Sequence, residues 1–269
     1  MKTSAAPVLT PKSLPEALAM RASNPTAMPI AGGTDVMVFL EAGQIDPPGF
    51  LDLWGLPELG GVTPERIGAG ATWTQVARCE GLPRALRDCA LTVGAAQIQN
   101  RGTVGGNIVN ASPAGDSLPL WLALDAELEV ASTRGARRIP ADRFWTAYRK
   151  TALAPDELLV AVHIPPVRGE VAYRKVGTRL AQAISKVVLG ARIVVEGGVV
   201  TEARVALGSV APVPVRCARV EAALVGKPVD PSAADLVGDD IAPIDDIRST
   251  AAYRRRVAAN VIRSWLAGV

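Results

Sequence analysis

The segment RGTVGGNIVNASPAGD, residues 101–116, restricts the possible folds of this chain more than any other. It holds four glycines and two asparagines together with Thr103, Ser112 and Asp116, and apolar segments flank it. A buried polar group without a partner costs ~1–3 kcal/mol, so these backbone and amide groups need partners near a core. A ligand with a sugar–diphosphate chain would supply them; alternatively, the loop satisfies itself and water. We predict an ordered loop over residues 102–116.

A second glycine loop, AGGTD at residues 31–35, joins a predicted strand over 28–31 to a predicted helix over 36–43. Consecutive glycines allow close approach of the backbone to a ligand, and successive N–H groups suit a diphosphate. Thr34 adds a hydroxyl donor, and Asp35 is expected to cap the helix through its carboxylate. A tight strand-to-helix turn without a ligand explains the same residues, so this loop alone leaves both interpretations open.

The remaining pattern predicts an α+β protein of three units. We place the first boundary near residue 57 and the second near the prolines at 165–166, which gives units 1–57, 58–167 and 168–269. Ser13 and Glu16 predict a capping box, and Thr74 is the expected cap of a later helix. Residues 118–123 are apolar and expected to be buried. Residues 187–207 with Gly197-Gly198 predict a β-hairpin, and residues 253–266 a closing helix.

Charge and hydropathy exclude several classes of protein. The chain has 29 Lys plus Arg and 26 Asp plus Glu, a net charge of +3, which does not indicate a nucleic-acid-binding protein. We interpret the basic run at 254–256 as a solvated helix face or a subunit contact. No segment reaches the ~18 apolar residues that a membrane span requires. After Lys2, the residues Thr3, Ser4, Pro7 and Thr10 replace the continuous apolar region of a signal peptide, so a signal peptide is not expected and a cytoplasmic location is.

Cysteine and histidine usage excludes most metal chemistry. The chain has three cysteines without a CxxC pair, whereas an iron–sulfur cluster usually needs about four. We interpret them as thiols of a reducing cytoplasm. The single histidine, His163, is interpreted as structural or surface-exposed. No metal site is therefore predicted, and any redox chemistry must come from a bound organic cofactor. Neither glycine loop matches GxGxxG or GxxxxGK[ST], and a GxSxG elbow is missing from the sequence.

Four segments together resemble one family. They are AGGTD at 31–35, QIQNRGTVGGNIVNASPAGDSLPLWLALDAELEV at 97–130, ELLVAVHIP at 157–165 and YRKVGTRLAQAISKV at 173–187. In this order and spacing they resemble the FAD-binding subunits of molybdenum hydroxylases, which include carbon monoxide dehydrogenase medium subunits and bacterial xanthine dehydrogenase flavin subunits. The resemblance covers nearly the whole chain. GTVGGN followed by ASPxxD is specific to the family, whereas AGGTD alone is not.

The resemblance implies an FAD fold of the vanillyl-alcohol-oxidase (PCMH) type with a C-terminal α+β domain. It implies that Lys175 lies near the isoalloxazine carbonyls, that Asp116 bonds sugar or ribityl hydroxyls, and that Leu159 packs against the flavin. Ile184, aligned with a one-residue gap, would shield one flavin face, where an aliphatic residue suits NAD+ as acceptor. The implied cofactor-binding residues are Ile30, Ala31, Gly32, Gly33, Thr34, Asp35, Thr103, Val104, Gly105, Gly106, Asn107, Val109, Asp116, Leu159, Lys175 and Ile184.

The resemblance also implies an oxidoreductase with partner subunits. A large subunit would hold the molybdenum cofactor and a small subunit a [2Fe-2S] cluster, as a dimer of heterotrimers. Electrons would pass through FAD to NAD+, a quinone or oxygen, and the cofactor would carry the chemistry. One alternative is a stand-alone flavin oxidase or reductase of related fold. Another is a non-catalytic nucleotide- or phosphate-binding module, which would be colourless.

Overall fold

A computed structural model of the protein describes residues 6–269. Lys2, Thr3 and Ser4, on which the expectation of no signal peptide partly rests, lie outside the described residues. The helices are α1 Leu14–Ser23, α2 Val36–Glu41, α3 Trp73–Arg78, α4 Arg84–Thr92, α5 Ala96–Gln99, α6 Val104–Asn110, α7 Leu118–Ala123, α8 Ala218–Leu224 and α9 Ala251–Leu266. Short 3-10 helices cover Pro57–Leu59, Ala141–Arg143 and Pro231–Asp239.

The strands form separate sheets along the chain, so the protein is α+β as predicted. Strands β1 Val8–Leu9, β2 Met28–Ile30 and β3 Phe50–Asp52 pair in parallel in the order β1-β3-β2. Strands β4 Arg66–Gly68, β5 Glu127–Ser132, β6 Gly135–Pro140 and β9 Leu158–His163 form an antiparallel sheet in the order β4-β9-β5-β6. Strands β7 Trp145–Ala147 and β8 Lys150–Thr151 form a small hairpin.

The third large sheet contains the last strands. It is antiparallel in the order β10-β11-β12-β13, with β10 Glu170–Val176, β11 Val187–Glu196, β12 Val199–Gly208 and β13 Val215–Arg216. The predicted hairpin is confirmed as β11 and β12. Gly197 and Gly198 turn it with φ of 58° and 81°, which is the backbone that a two-residue hairpin turn needs. Helix α9 confirms the predicted closing helix and packs its buried Ala258 and Ile262 on this sheet.

Of the two helix caps predicted at Ser13 and Thr74, the structure has the one at Ser13. Ser13 caps α1, since its hydroxyl accepts from the Glu16 N–H at 3.4 Å. A capping box would also need the Glu16 carboxylate to accept from the Ser13 N–H. It accepts from the Lys12 N–H at 2.6 Å instead, so the predicted box is only half formed. The prediction for Thr74 was wrong. Thr72 caps α3 in a full capping box with Gln75, because the helix begins at Trp73.

The prediction of an ordered loop over residues 102–116 is wrong for part of that range. Helix α6 occupies Val104–Asn110 despite its two glycines, which disfavour a helix. Thr103 caps it by accepting from the Gly106 N–H at 3.1 Å, and Val104 and Ile108 are fully buried. Burial of this apolar face offsets the weak intrinsic propensity. Helix α7 is buried at every position, as predicted for residues 118–123.

An arginine cluster joins α7 to the C-terminal sheet. Asp125 follows α7 with φ of 50° and accepts from Arg192 at 2.8 Å, Arg204 at 2.9 Å and Arg216 at 3.4 Å. Arg192 is almost fully buried and also donates to the Ala123 carbonyl at 3.2 Å. One carboxylate thus binds guanidinium groups from three strands, and Glu202 and Glu221 supply further negative charge to Arg192 and Arg216.

The interpretation of the basic run at 254–256 was wrong for its first residue. Arg254 is buried and donates to the Ser209 carbonyl at 2.6 Å, and its Nη2 donates to both carboxylate oxygens of Asp246 at 2.8 Å. Arg255 and Arg256 are exposed. Helical periodicity puts one of three consecutive residues toward the sheet, and Arg254 has a carboxylate there.

Candidate functional site

The two glycine loops lie directly against each other. A Cβ built on Gly32 would be 1.8 Å from the Arg101 carbonyl oxygen, and one on Gly102 would be 3.4 Å from the Thr34 hydroxyl. Gly33 has φ of 74°, which disfavours any other residue there. The structure therefore brings residues 30–35 together with the start of the second loop through backbone contact that only glycine permits.

Helix α6 presents two different faces at this junction. Gly105 packs on Ala69, because a Cβ there would lie 2.7 Å from the Ala69 Cβ, and its N–H donates to the Ala69 carbonyl at 2.8 Å. Gly106 and Val109 are exposed on the other side of the helix. Asn107 is half-buried, and its amide oxygen accepts from the Ser117 hydroxyl at 2.7 Å. The exposed face of α6 thus consists of small and amide residues beside the AGGTD loop.

A chain of hydrogen bonds ties these loops to the β7–β8 hairpin. Asn110 donates to Asp35 at 2.6 Å and accepts from Arg149 at 2.8 Å. Arg149 has φ of 52° and lies over the Phe39 ring at 5.2 Å. Desolvation raises the pKa of Asp35, and the Arg149 charge opposes that shift. Within the described residues Asp35 makes no side-chain hydrogen bond to α2, so the predicted cap is wrong; its carboxylate binds Asn110 instead.

Asp116 and Lys175 form a buried ion pair. Their oxygen and ammonium nitrogen are 2.7 Å apart, and their side chains are 11% and 10% exposed. Burial raises the pKa of Asp116, whereas the Lys175 charge and its hydrogen bond lower it. Asp116 Oδ1 is buried and finds no hydrogen-bond partner among residues 6–269. A buried acceptor without a donor is costly, so this oxygen can accept a hydrogen bond from a bound water or ligand.

The other predicted residues are spread around this centre. Leu159 is buried in the core on β9, opposite Val130 at a bulge. Ile184 is 51% exposed in the segment between β10 and β11. Its neighbour Ser185 donates to the Ala114 carbonyl at 3.2 Å, which fastens that segment to the second glycine loop. An open cleft of ≈ 500 Å³ elsewhere, lined by residues such as Pro64, Pro83 and Pro165, contains none of the predicted site residues.

Sequence reasoning missed several polar residues of this region, namely Thr92, Asn110, Ser117, Arg149 and Tyr173. Thr92 accepts from the Lys175 ammonium through its carbonyl at 2.9 Å, and its hydroxyl lies 2.8 Å from the Tyr173 hydroxyl. Tyr173 had a readable signal, since it stands two residues before Lys175 on a strand and so shares its face. No sequence signal pointed to Arg149, because only the tertiary structure brings the β7–β8 hairpin to α6.

Three other observations concern metal ligands, the single histidine and membrane-spanning helices. Within residues 6–269 no three of the His, Cys, Asp and Glu side chains are grouped as metal ligands would be. His163 bonds Glu129 at 2.6 Å across neighbouring strands, as a structural histidine does. None of the helices in that range is both long and apolar enough to span a membrane.

Comparison with known proteins identifies the family. Residues 2–167 match the FAD binding domain in molybdopterin dehydrogenase, and residues 167–269 match the CO dehydrogenase flavoprotein C-terminal domain. A putative xanthine dehydrogenase FAD-binding subunit from Escherichia coli is 34% identical, over 90% of this chain and 88% of its own length. A carbon monoxide dehydrogenase medium chain from Afipia carboxidovorans is 31% identical, over 94% of this chain and 92% of its own length.

Solved structures agree with this assignment. Carbon monoxide dehydrogenase from Hydrogenophaga pseudoflava, in a form lacking the Mo-pyranopterin moiety, superposes with a TM-score of 0.92 at 28% identity, over 98% of this chain and 96% of that one. Quinoline 2-oxidoreductase from Pseudomonas putida 86 superposes with a TM-score of 0.92 at 27% sequence identity, over 100% of this chain and 98% of that one. The expected PCMH-type fold with a C-terminal domain is thereby confirmed. The chain belongs to the FAD-binding subunits of the molybdenum hydroxylase family, and it is an oxidoreductase subunit whose cofactor is FAD.

Proposed function

We propose that this chain holds FAD between the two glycine loops and the Asp116–Lys175 pair, and that it is the electron-transfer subunit of its complex. It would receive electrons from an iron–sulfur subunit and deliver them to NAD+, a quinone or oxygen. The observation that carries the proposal is Asp116 Oδ1, a buried acceptor that lacks a donor among the described residues. A hydroxyl-bearing ribityl or sugar chain supplies such donors.

The shape of the loops fits the same cofactor. The glycine contact at Gly32 sets the backbone of the first loop against the start of the second, and the N–H groups of the first loop can donate to a diphosphate there. Asn107 has its oxygen engaged by Ser117, so it offers its amide N–H groups as donors. We assign the cofactor contacts to Ile30, Ala31, Gly32, Gly33, Thr34, Asp35, Thr103, Val104, Gly105, Gly106, Asn107, Val109, Asp116, Leu159, Lys175 and Ile184.

Lys175 is the residue that would tune the cofactor. When bound, FAD supplies reversible uptake and release of two electrons. A fixed ammonium stabilises negative charge that develops near it, and does so strongly where water is excluded. Lys175 is 10% exposed and held by Asp116, so its charge is fixed before any ligand arrives. We propose that it faces the isoalloxazine carbonyls.

The partner assignment rests on the relatives, which are named as subunits or medium chains. We propose a molybdenum-cofactor large subunit and a [2Fe-2S] small subunit as partners, in a dimer of heterotrimers. For the acceptor, Ile184 is an aliphatic, half-exposed residue on the segment pinned to the second glycine loop. We propose that it shields one flavin face and favours NAD+.

We also propose that the chain is organised as units 1–57, 58–167 and 168–269. Each of these ranges contains its own principal sheet: β1–β3, the β4-β9-β5-β6 sheet, and β10–β13. Limited proteolysis should then cut first near residues 57 and 167.

The deciding experiment is reconstitution followed by spectroscopy. The purified chain is mixed with FAD, desalted and scanned in the visible range, alone and after co-expression with its neighbouring subunits. A retained flavin spectrum, with FAD released on denaturation, is expected. The complex then undergoes anaerobic rapid mixing with NAD+, a quinone or oxygen to identify the acceptor. An intact complex that releases no FAD on denaturation would refute the cofactor site.

A further inference from the structure

Two hydrogen bonds fasten strand β10 to the end of helix α4. The Lys175 ammonium donates to the Thr92 carbonyl at 2.9 Å, and the Tyr173 hydroxyl lies 2.8 Å from the Thr92 hydroxyl. Tyr173 and Lys175 are two residues apart on one strand and therefore share a face. Thr92 is the last residue of α4. A single residue thus receives both side chains, one on its carbonyl and one on its hydroxyl.

The direction of the hydroxyl bond follows from counting hydrogens. Thr92 Oγ1 donates to the Cys89 carbonyl at 2.8 Å, and a threonine hydroxyl has one hydrogen to donate. We therefore assign the Tyr173 O–H as the donor to Thr92 Oγ1, with the buried Cys89 thiol as the other neighbour of this hydroxyl. Burial raises the pKa of Tyr173 well above its ordinary value, so the phenol keeps this hydrogen at neutral pH.

This arrangement determines where the Lys175 ammonium stands. Its three N–H groups find two acceptors among residues 6–269, Asp116 Oδ2 at 2.7 Å and the Thr92 carbonyl at 2.9 Å. The carbonyls at a helix C-terminus carry partial negative charge, so the end of α4 favours a cation there. Fixing Thr92 by its hydroxyl fixes the carbonyl on the same residue. The third N–H remains for a ligand.

We infer that Tyr173 and Thr92 are positioning residues that hold the Lys175 ammonium toward the bound flavin, acting through Lys175 without touching the cofactor. This inference rests on the proposed FAD site. Its consequence is electronic: loosening the ammonium weakens stabilisation of the anionic reduced flavin and lowers the midpoint potential. A residue needed only for packing would change the melting temperature and leave the potential of the bound flavin unchanged.

The test measures the flavin midpoint potential and visible spectrum of the FAD-loaded full-length chain. Tyr173→Phe and Thr92→Val each remove one end of the hydroxyl bond, and each should shift the potential downward by a similar amount. The double variant should shift no further, because both changes break one interaction. Thr92→Ser should restore the original value. Lys175→Met should give the largest downward shift. Tyr253→Phe, the same substitution on α9, keeps the ring that lies under the Lys186 ammonium and should have no effect.

The outcomes separate the inference from the proposed function. Potentials unchanged in Tyr173→Phe and Thr92→Val, with Lys175→Met clearly shifted, would overturn the positioning role and leave the lysine assignment standing. An unshifted potential in Lys175→Met with FAD still bound would overturn both. Failure of the unaltered complex to bind FAD would refute the site itself. Since Thr92→Val loses one hydroxyl at nearly constant volume, it remains informative if Tyr173→Phe folds poorly.

Discussion

Gly32 and Arg101 are in backbone contact, such that a Cβ on Gly32 would lie 1.8 Å from the Arg101 carbonyl oxygen. This contact joins the end of the first parallel sheet to the segment that leads into α6. Arg101 also stacks its guanidinium 3.8 Å from the Trp54 ring, which covers the junction from the first unit. The relative position of the two glycine loops is therefore determined by main-chain packing.

Gly32→Ala should destabilise the protein and abolish FAD retention. The methyl group meets backbone atoms, which cannot rotate away, so the loops must separate. Overpacking of this kind costs about 1–3 kcal/mol in the free energy of unfolding, and more where the clashing atoms are backbone. Thermal melting and flavin content after desalting measure both effects. Gly238→Ala is the matched control, because a Cβ there meets nothing within 4 Å. Equal melting temperatures for the two variants would contradict the contact.

Gly106→Val should abolish FAD retention while the chain stays folded. Gly106 is exposed, and an added Cβ meets only the Thr103 hydroxyl, at 3.0 Å. The cost to the fold is about 1 kcal/mol from a weakened cap, whereas the side chain enters the space proposed for the diphosphate. The measurement is flavin absorbance per chain, with circular dichroism as the check on folding. Gly238→Val provides the same substitution away from the site. Normal flavin content in Gly106→Val would remove α6 from the cofactor site.

Asp125→Ala should weaken the attachment of α7 to the C-terminal sheet. It leaves Arg192, Arg204 and Arg216 without their shared carboxylate, and Arg192 is nearly buried. Breaking a fully buried pair costs about 3–5 kcal/mol; Asp125 is partly exposed, so roughly 2–4 kcal/mol is expected. Urea unfolding followed by tryptophan fluorescence gives the value. Arg84→Ala breaks an exposed pair with Asp88 and should cost about 0–1 kcal/mol. Similar losses in both variants would show that the cluster adds no stability.

Glu157 should contribute to the acid sensitivity of the fold. Hydrogen bonds from Arg137 at 2.7 Å and from the Ala154 N–H at 2.8 Å hold the pKa of Glu157 below its ordinary value of 4.5. Because the pKa of Glu157 is lower in the folded protein than in the unfolded chain, its ionised form stabilises the fold. This contribution to the free energy of unfolding is fully present above pH 4.5 and is lost as the pH falls through the lower pKa of the folded protein. Glu157→Gln should cost roughly 1–3 kcal/mol near neutral pH and flatten the decline below pH 4.5. Stability measured against pH would contradict this if the two curves ran parallel.

Lys175 illustrates how burial changes the interpretation of a mutation. From the sequence, Lys175→Ala is predicted to slow flavin reduction or reoxidation and leave the fold intact. The structure revises the second half of that prediction, because the change strands the Asp116 carboxylate in a buried site. A lower melting temperature is therefore expected in the apo chain. Lys175→Met with Asp116→Asn should recover most of that loss, since no uncompensated charge then remains.

The sequence by itself determined the features whose causes are local. Gly197 and Gly198 need positive φ for a two-residue turn, Ser13 caps the residues immediately after it, and the apolar run at 118–123 has to be buried. The specific run from GTVGGN to ASPxxD also predicted the family and its cofactor, which the comparisons confirm. In the turn and the cap the interacting atoms lie within a few residues of one another, so spacing alone carries that information.

Only the tertiary structure decided the rest. Helix α6 forms over glycines because Val104 and Ile108 reach a core built from distant strands, and Arg254 is buried because Asp246 and the Ser209 carbonyl receive it. The contact between Tyr173 and Thr92 spans 81 residues, and that between Asn110 and Arg149 spans 39. Such pairs depend on how sheets and helices pack. Long-range packing overrides local propensity because burying an apolar face contributes more free energy than the intrinsic preference of a few residues opposes.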